Sequence, residues 1–204
     1  MKLDPRRLLA APKVYNSFQR IVGADRSRRQ FIDDHVSDMA GGRVLEIGCG
    51  PGTNYPLMPA AVEYVGTDLE PSYIEHARKT YGDSAQFWEC GVSELADLDL
   101  GLFDAIIAMN LLHHLDDQEI LGLCDGLKPL LTIQGRFITC DPCFVVQQGK
   151  IERMITSWDR GRFVRFPDQY AQLLSRQFGA VSSKTLPGGS RIPNTGVVMV
   201  ASVA

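Results

Sequence analysis

Apolar positions along this chain fall into two kinds of run. Short, nearly continuous ones (Val44, Leu45 and Ile47, then residues 62–68, 86–90, 101–108 and 135–141) read as strands buried on both faces of a parallel sheet. Between them, apolar residues recur at helical spacing. Phe31, Ile32, Val36 and Met39 form one such stripe, Ile74 and Ala77 a second, and Ile120, Leu123, Cys124 and Leu127 a third. Strands alternating with helices give an α/β chain. Local signals punctuate the pattern. Gly41-Gly42 stops the first helical stretch, Pro71 opens a helix over 72–81 with Glu70 at its start, and Gly82 ends it. Asp116 followed by Glu119 has the spacing of a capping box. A last helix is expected over 169–178, then strands over 181–186 and 196–203 joined through Pro187-Gly188-Gly189-Ser190 as an antiparallel edge pair. Residues 142–166 form an insert longer than a usual connection.

The stretch Val44-Leu45-Glu46-Ile47-Gly48-Cys49-Gly50-Pro51-Gly52 carries the densest chemistry. A buried strand ends in an acidic residue, and glycines at alternate positions let a ligand approach the backbone without meeting a Cβ. A nicotinamide or flavin dehydrogenase fingerprint would need glycine where Thr53 stands, and Glu46 would repel the pyrophosphate such a turn receives. The stretch closely resembles the first motif of class I S-adenosylmethionine-dependent methyltransferases, whose cofactor has no phosphate and carries an ammonium and a sulfonium. Glu46 is favourable beside such charges. Later segments resemble the family in its own order: Asp68 and Leu69 at the end of the second strand, Gly91-Val92 after the third, and Phe103-Asp104 before an apolar run that exits through Met109-Asn110-Leu111-Leu112-His113-His114-Leu115.

The resemblance implies a Rossmann-like, doubly wound, seven-stranded and mostly parallel sheet with an antiparallel last strand and helices on both faces. It implies one methyltransferase domain over residues 1–204, with an N-terminal helical cap over 1–40 and the core over 41–204, including the insert at about 142–166. S-adenosyl-L-methionine is the cofactor it implies, held by Glu46, Gly48, Cys49, Gly50, Asp68, Leu69, Gly91, Val92 and Met109. In that assignment Asp68 takes the ribose hydroxyls, and Leu69, Gly91 and Val92 line the adenine. Many relatives carry an aspartate where Gly91 stands, and Glu89 is the candidate to replace it. His113 is assigned as the base facing the acceptor, with His114 and Asp141 as the other candidates. A hydrogen-bonded structural histidine is the competing reading. The segment Asn110-Leu111-Leu112-His113 is not the Asp/Asn-Pro-Pro-aromatic tetrad of nucleobase amino-methyltransferases, so a small-molecule acceptor is expected at O, N or C, and nucleic acid is a runner-up. A binding module without catalysis and a nicotinamide-dependent oxidoreductase are the alternatives.

Composition adds four points. With 204 residues and 45% hydrophobic content the chain suffices for one α/β domain. No apolar run is long enough to span a membrane, and residues 1–5 lack a signal peptide's apolar core, so a cytoplasmic location is expected. Five cysteines make a disulfide framework unexpected. Cys140-Asp141-Pro142-Cys143 has no second pair to complete a zinc site, and no metal is expected. The formal charge is −3, but residues 1–30 carry +6 and residues 150–165 carry +3, which leaves −12 for the remainder. Tyr15 and Phe18 in the first basic segment are candidates to line a substrate cover, and Arg160, Arg162 and Arg165 beside Trp158 and Phe163 to form a wall against an anionic acceptor. Solvated surface charge is the other explanation.

Overall fold

In a computed structural model that describes residues 24–157, 161–186 and 195–203, the strands form one seven-stranded sheet. Its strands are β1 Arg43–Ile47, β2 Glu63–Asp68, β3 Gln86–Glu89, β4 Phe103–Met109, β5 Leu131–Pro142, β6 Ala180–Leu186 and β7 Gly196–Ser202. They lie in the order β3-β2-β1-β4-β5-β7-β6. All pairings are parallel except those of β7, which runs antiparallel to both β5 and β6.

Helices cover both faces because the pleat sends neighbouring residues to opposite sides. Leu45, Ile106 and Phe137 point to the face packed by Ile120, Leu123, Cys124 and Leu127 of α4 (Asp117–Leu127) and by Tyr170, Leu173 and Leu174 of α6 (Pro167–Leu174). Val44, Ala105, Ile107 and Ile138 meet Phe31, Ile32 and Val36 of α1 (Ala24–His35) on the other. A third cluster sets Ile74 and Ala77 of α2 (Pro71–Tyr81) against Tyr64, Phe87 and Cys49. Each large apolar side chain so buried contributes about 1.5–3 kcal/mol. The expected starts are present: Glu70 caps α2 by accepting from Ser72 N, and Asp116 and Glu119 form a reciprocal capping box on α4. A short α3 (Val92–Leu95) follows β3.

Three boundaries differ from the sequence expectation. β5 begins at Leu131, four residues before Gly135, because a shift in its pairing with β4 between Phe103 and Ala105 accommodates residues 132–135. α6 runs Pro167–Leu174 rather than to 178, and Phe178 instead leaves the helix to stack on Phe137. The insert contains its own helix, α5 (Lys150–Ser157), and is closed by a bridge between Cys143 and Arg165. Tyr15, Phe18, Trp158, Asp159, Arg160 and the turn at 187–190 lie outside the described residues. All five cysteines are free thiols. Among the described residues no helix is long and apolar enough to cross a membrane.

Candidate functional site

Chain order runs outward in opposite directions from β1 and β4, so the two connections leaving their carboxyl ends diverge and open a crevice. The glycine turn after β1 forms one lip. Gly50 has φ +55 with nothing within 4 Å of where a Cβ would stand, so it is both left-handed and open to the crevice. Gly52 serves packing instead, since a Cβ there would meet Tyr81 and Phe87 at 2.8–3.0 Å. Gly48 lies against Leu111, and Cys49 turns its thiol into the core, where burial pushes its pKa well up. Asp68 braces this turn: its Oδ2 accepts from Gly50 N at 2.8 Å and its Oδ1 from Glu70 N at 2.9 Å. Each oxygen keeps a second lone pair for a ligand.

Glu46, which the resemblance assigns to the cofactor, is enclosed by the glycine turn and by β2. It is 1% exposed, with Oε1 accepting from Asn54 Nδ2 at 2.5 Å and Oε2 accepting from the Tyr64 hydroxyl. Burial pushes its carboxyl up to about 7, against the pull of those two hydrogen bonds. Neither Asn54 nor Tyr64 was singled out by sequence. Asn54 also reaches Met109 Sδ at 3.4 Å, which ties the turn to the end of β4. Tyr55 seats the pair by packing on Tyr64, Tyr81 and Phe87.

Farther along, Leu69 is 75% exposed, and its Cδ2 lies 3.6 Å from where a Cβ on Gly91 would stand, forming a small apolar wall. Gly91 N donates to Glu94 Oε2 at 2.7 Å, which brings the carboxylate of Glu94, exposed like Glu89, next to that wall. Val92 leans on Gly126 of α4. After β4, Asn110 adopts φ +55, a conformation rare outside glycine, and its N–H donates to Cys140 O. Strained backbone of this kind gathers at functional sites.

Comparison with known proteins agrees with this geometry. Residues 45–137 match the family model described as a methyltransferase domain. Over that stretch the chain is similar to methyltransferase domains. It is 33% identical over 109 residues to a ubiquinone biosynthesis O-methyltransferase of Methylococcus capsulatus, over 50% of this chain and 45% of that protein. The chain spans about half the length of the curated relatives it matches. By shape it is similar to magnesium protoporphyrin IX methyltransferase from Synechocystis PCC 6803, with a TM-score of 0.67 at 18% identity, covering 91% of this chain and 86% of that one. The mitomycin 7-O-methyltransferase gives 0.71 at 15% identity, covering 96% and 60%.

Within the matched stretch His113, 3% exposed, is buried at the turn that leaves β4. Its Nδ1 lies 2.8 Å from Asp141 Oδ1, which also accepts from His113 N at 3.2 Å. A carboxylate only accepts, so this contact places the imidazole proton on Nδ1. Asp141 is 1% exposed and stands in β5, within the strand expected over 135–141. The His114 ring is 4.1 Å from that of His113, but its residue is exposed. Gly161 packs directly on His113, where a Cβ would stand 2.0 Å from Cδ2, and Phe163 N donates to His113 O. Arg165 does not belong to an anion-binding wall. It is 8% exposed, paired to Asp117 at 2.6 Å, and donates to the carbonyls of Leu115 and Phe163. Arg162 is exposed. Among the described residues no group of three His, Cys, Asp or Glu side chains could hold a metal ion.

Proposed function

We propose that this chain transfers a methyl group from S-adenosylmethionine to a small-molecule acceptor. The observation that carries the reading is the open, left-handed turn at Gly50, braced by Asp68 at the sheet's switch point within the matched domain. The residues fit such a cofactor. Gly48 and Gly50 offer backbone without side chain, and Asp68 retains acceptor capacity for ribose hydroxyls. Leu69, Gly91 and Val92 give an apolar wall for adenine, and Met109 stands at the end of β4. When bound, the cofactor supplies a sulfonium-activated methyl group. The chain's own contribution is to hold donor and acceptor in line and exclude water. Cys49 contributes backbone alone, and Glu46 acts on the cofactor's cations through its neighbours.

His113 is proposed as the base, with Asp141 holding the proton on Nδ1 so that Nε2 is the basic nitrogen. Its burial beneath Gly161 supports a second reading, in which His113 and Asp141 fasten the 161–165 segment over the crevice. Curated relatives act in ubiquinone biosynthesis as O-methyltransferases, which supports an organic acceptor with a reactive oxygen. An anionic acceptor is supported by an open surface depression of about 480 Å³ on the insert, lined by Phe144, Lys150, Arg153, Met154 and Ser157. There the Arg153 guanidinium lies 5.2 Å over the Phe144 ring, an arrangement suited to a carboxylate on an apolar body.

The test is transfer of a labelled methyl group from S-adenosylmethionine into a metabolite extract, followed by titration of the protein with S-adenosylmethionine and NAD. Labelled product together with binding of the first ligand alone is expected. Donor binding without product would leave a binding module, and NAD binding would favour an oxidoreductase. For an anionic product's precursor, Arg153→Ala should raise KM several-fold at low salt and leave the donor's Kd unchanged. An unaltered KM would remove Arg153 from the acceptor site.

A further inference from the structure

The residue that sequence reasoning passed over, Asn54, carries an unused acceptor. Asn54 is 4% exposed, and its amide nitrogen is engaged twice, on Glu46 Oε1 at 2.5 Å and on Met109 Sδ at 3.4 Å. Its carbonyl Oδ1 is buried and has no hydrogen-bond partner among the described residues. Leaving such a group unpaired is costly, and the usual remedy, turning the amide over, is blocked while Glu46 is a carboxylate, because Oδ1 would then face Oε1. Negative charge stands behind the amide in Glu46, with Asp68 acting on that carboxyl from a second side, while the Arg28 cation of α1 partly offsets the two. Asn54 also stands between the glycine turn and Met109, the two strand ends that frame the crevice.

We propose that Asn54 is the residue that reads the ammonium of the cofactor's methionine portion. Glu46 grips the amide by its nitrogen, which fixes Oδ1 as the acceptor for an N–H donor, and transmits its charge to a cation it does not itself touch. Tyr64 holds the other carboxyl oxygen and keeps Glu46 from swinging into the crevice. α1 packs across residues 55–57 beside this position. An acidic residue one step behind an amide binds a cation with less desolvation of the carboxylate than direct contact would require.

The inference rests on the cofactor reading above, and the experiment separates the two. Calorimetry compares S-adenosylhomocysteine, which carries the ammonium, with 5′-methylthioadenosine, which shares the nucleoside and lacks the amino acid. The variants are Asn54→Leu, close in size but without acceptor or donor, and Glu46→Gln, whose amide can donate to Oδ1 and consume it. Both should lose about tenfold or more in affinity for S-adenosylhomocysteine while 5′-methylthioadenosine binds as before. Equal losses for the two ligands in Glu46→Gln would mean a turn-supporting role only and would overturn the assignment. So would undiminished S-adenosylhomocysteine binding by a folded Asn54→Leu. Wild-type protein that binds neither nucleoside would remove the cofactor reading and this inference with it.

Discussion

Glu46 behaves unlike an ordinary carboxylate, and its charge state links the crevice to the core. Its folded-state pKa of about 7 lies above the ordinary 4.5, so its contribution to stability is fully present below about pH 4.5 and is lost as the pH rises through about 7. For a fully buried group the difference corresponds to something on the order of 3 kcal/mol. Urea midpoints should therefore fall between pH 5 and 8 in the wild type, and Glu46→Gln should flatten that fall. Parallel curves for the two proteins would show that Glu46 titrates as an exposed acid does. The sequence marked Glu46 as chemically special, but it did not show that Asn54 and Tyr64 would enclose it. That pairing depends on a turn folding back over eight residues and on a strand register that brings Tyr64 beside β1. Asp68 is a similar case, legible as a ligand-binding position, while its bracing of Gly50 and Glu70 appeared only in three dimensions.

At the scale of elements, the α4 start is the best-defined local signal in the chain. Asp116 accepts from Glu119 N at 2.9 Å and Glu119 returns the bond to Asp116 N at 2.7 Å. Asp116→Ala should cost about 1 kcal/mol in urea denaturation. No change in midpoint would mean that tertiary contacts alone set this helix. Strands buried on both faces were legible because they leave continuous apolar runs, as in Ala105-Ile106-Ile107-Ala108. The first residues of β5 were not, because Ile133 and Gln134 are exposed and the pairing is irregular there. Arg165 was misplaced for a related reason. An arginine between Phe163 and Phe166 reads as surface charge until Asp117, 48 positions earlier, and the carbonyls of the 112–115 turn are seen to surround it. Its bonds fasten the end of the insert onto the segment that carries His113.

Across the whole molecule, the connections leaving the neighbouring strands β1 and β4 diverge, and the residues proposed to bind cofactor gather at the carboxyl ends of β1, β2, β3 and β4. Topology thus converts four separate sequence segments into one crevice, which is why the donor side was legible from motifs whose order alone fixes their neighbours. The acceptor side is proposed to draw on the insert, whose placement follows no comparable rule. The central claim is that this crevice binds S-adenosylmethionine at the Gly50 turn. Its most direct test is equilibrium titration of S-adenosylhomocysteine into the wild type and into Gly50→Val, with circular dichroism to verify folding. The account predicts saturable binding at one site in the wild type and none in a folded variant, because a branched side chain at an open, left-handed position strains the turn and fills the approach. Equal binding by both proteins, or none by the wild type, would contradict it.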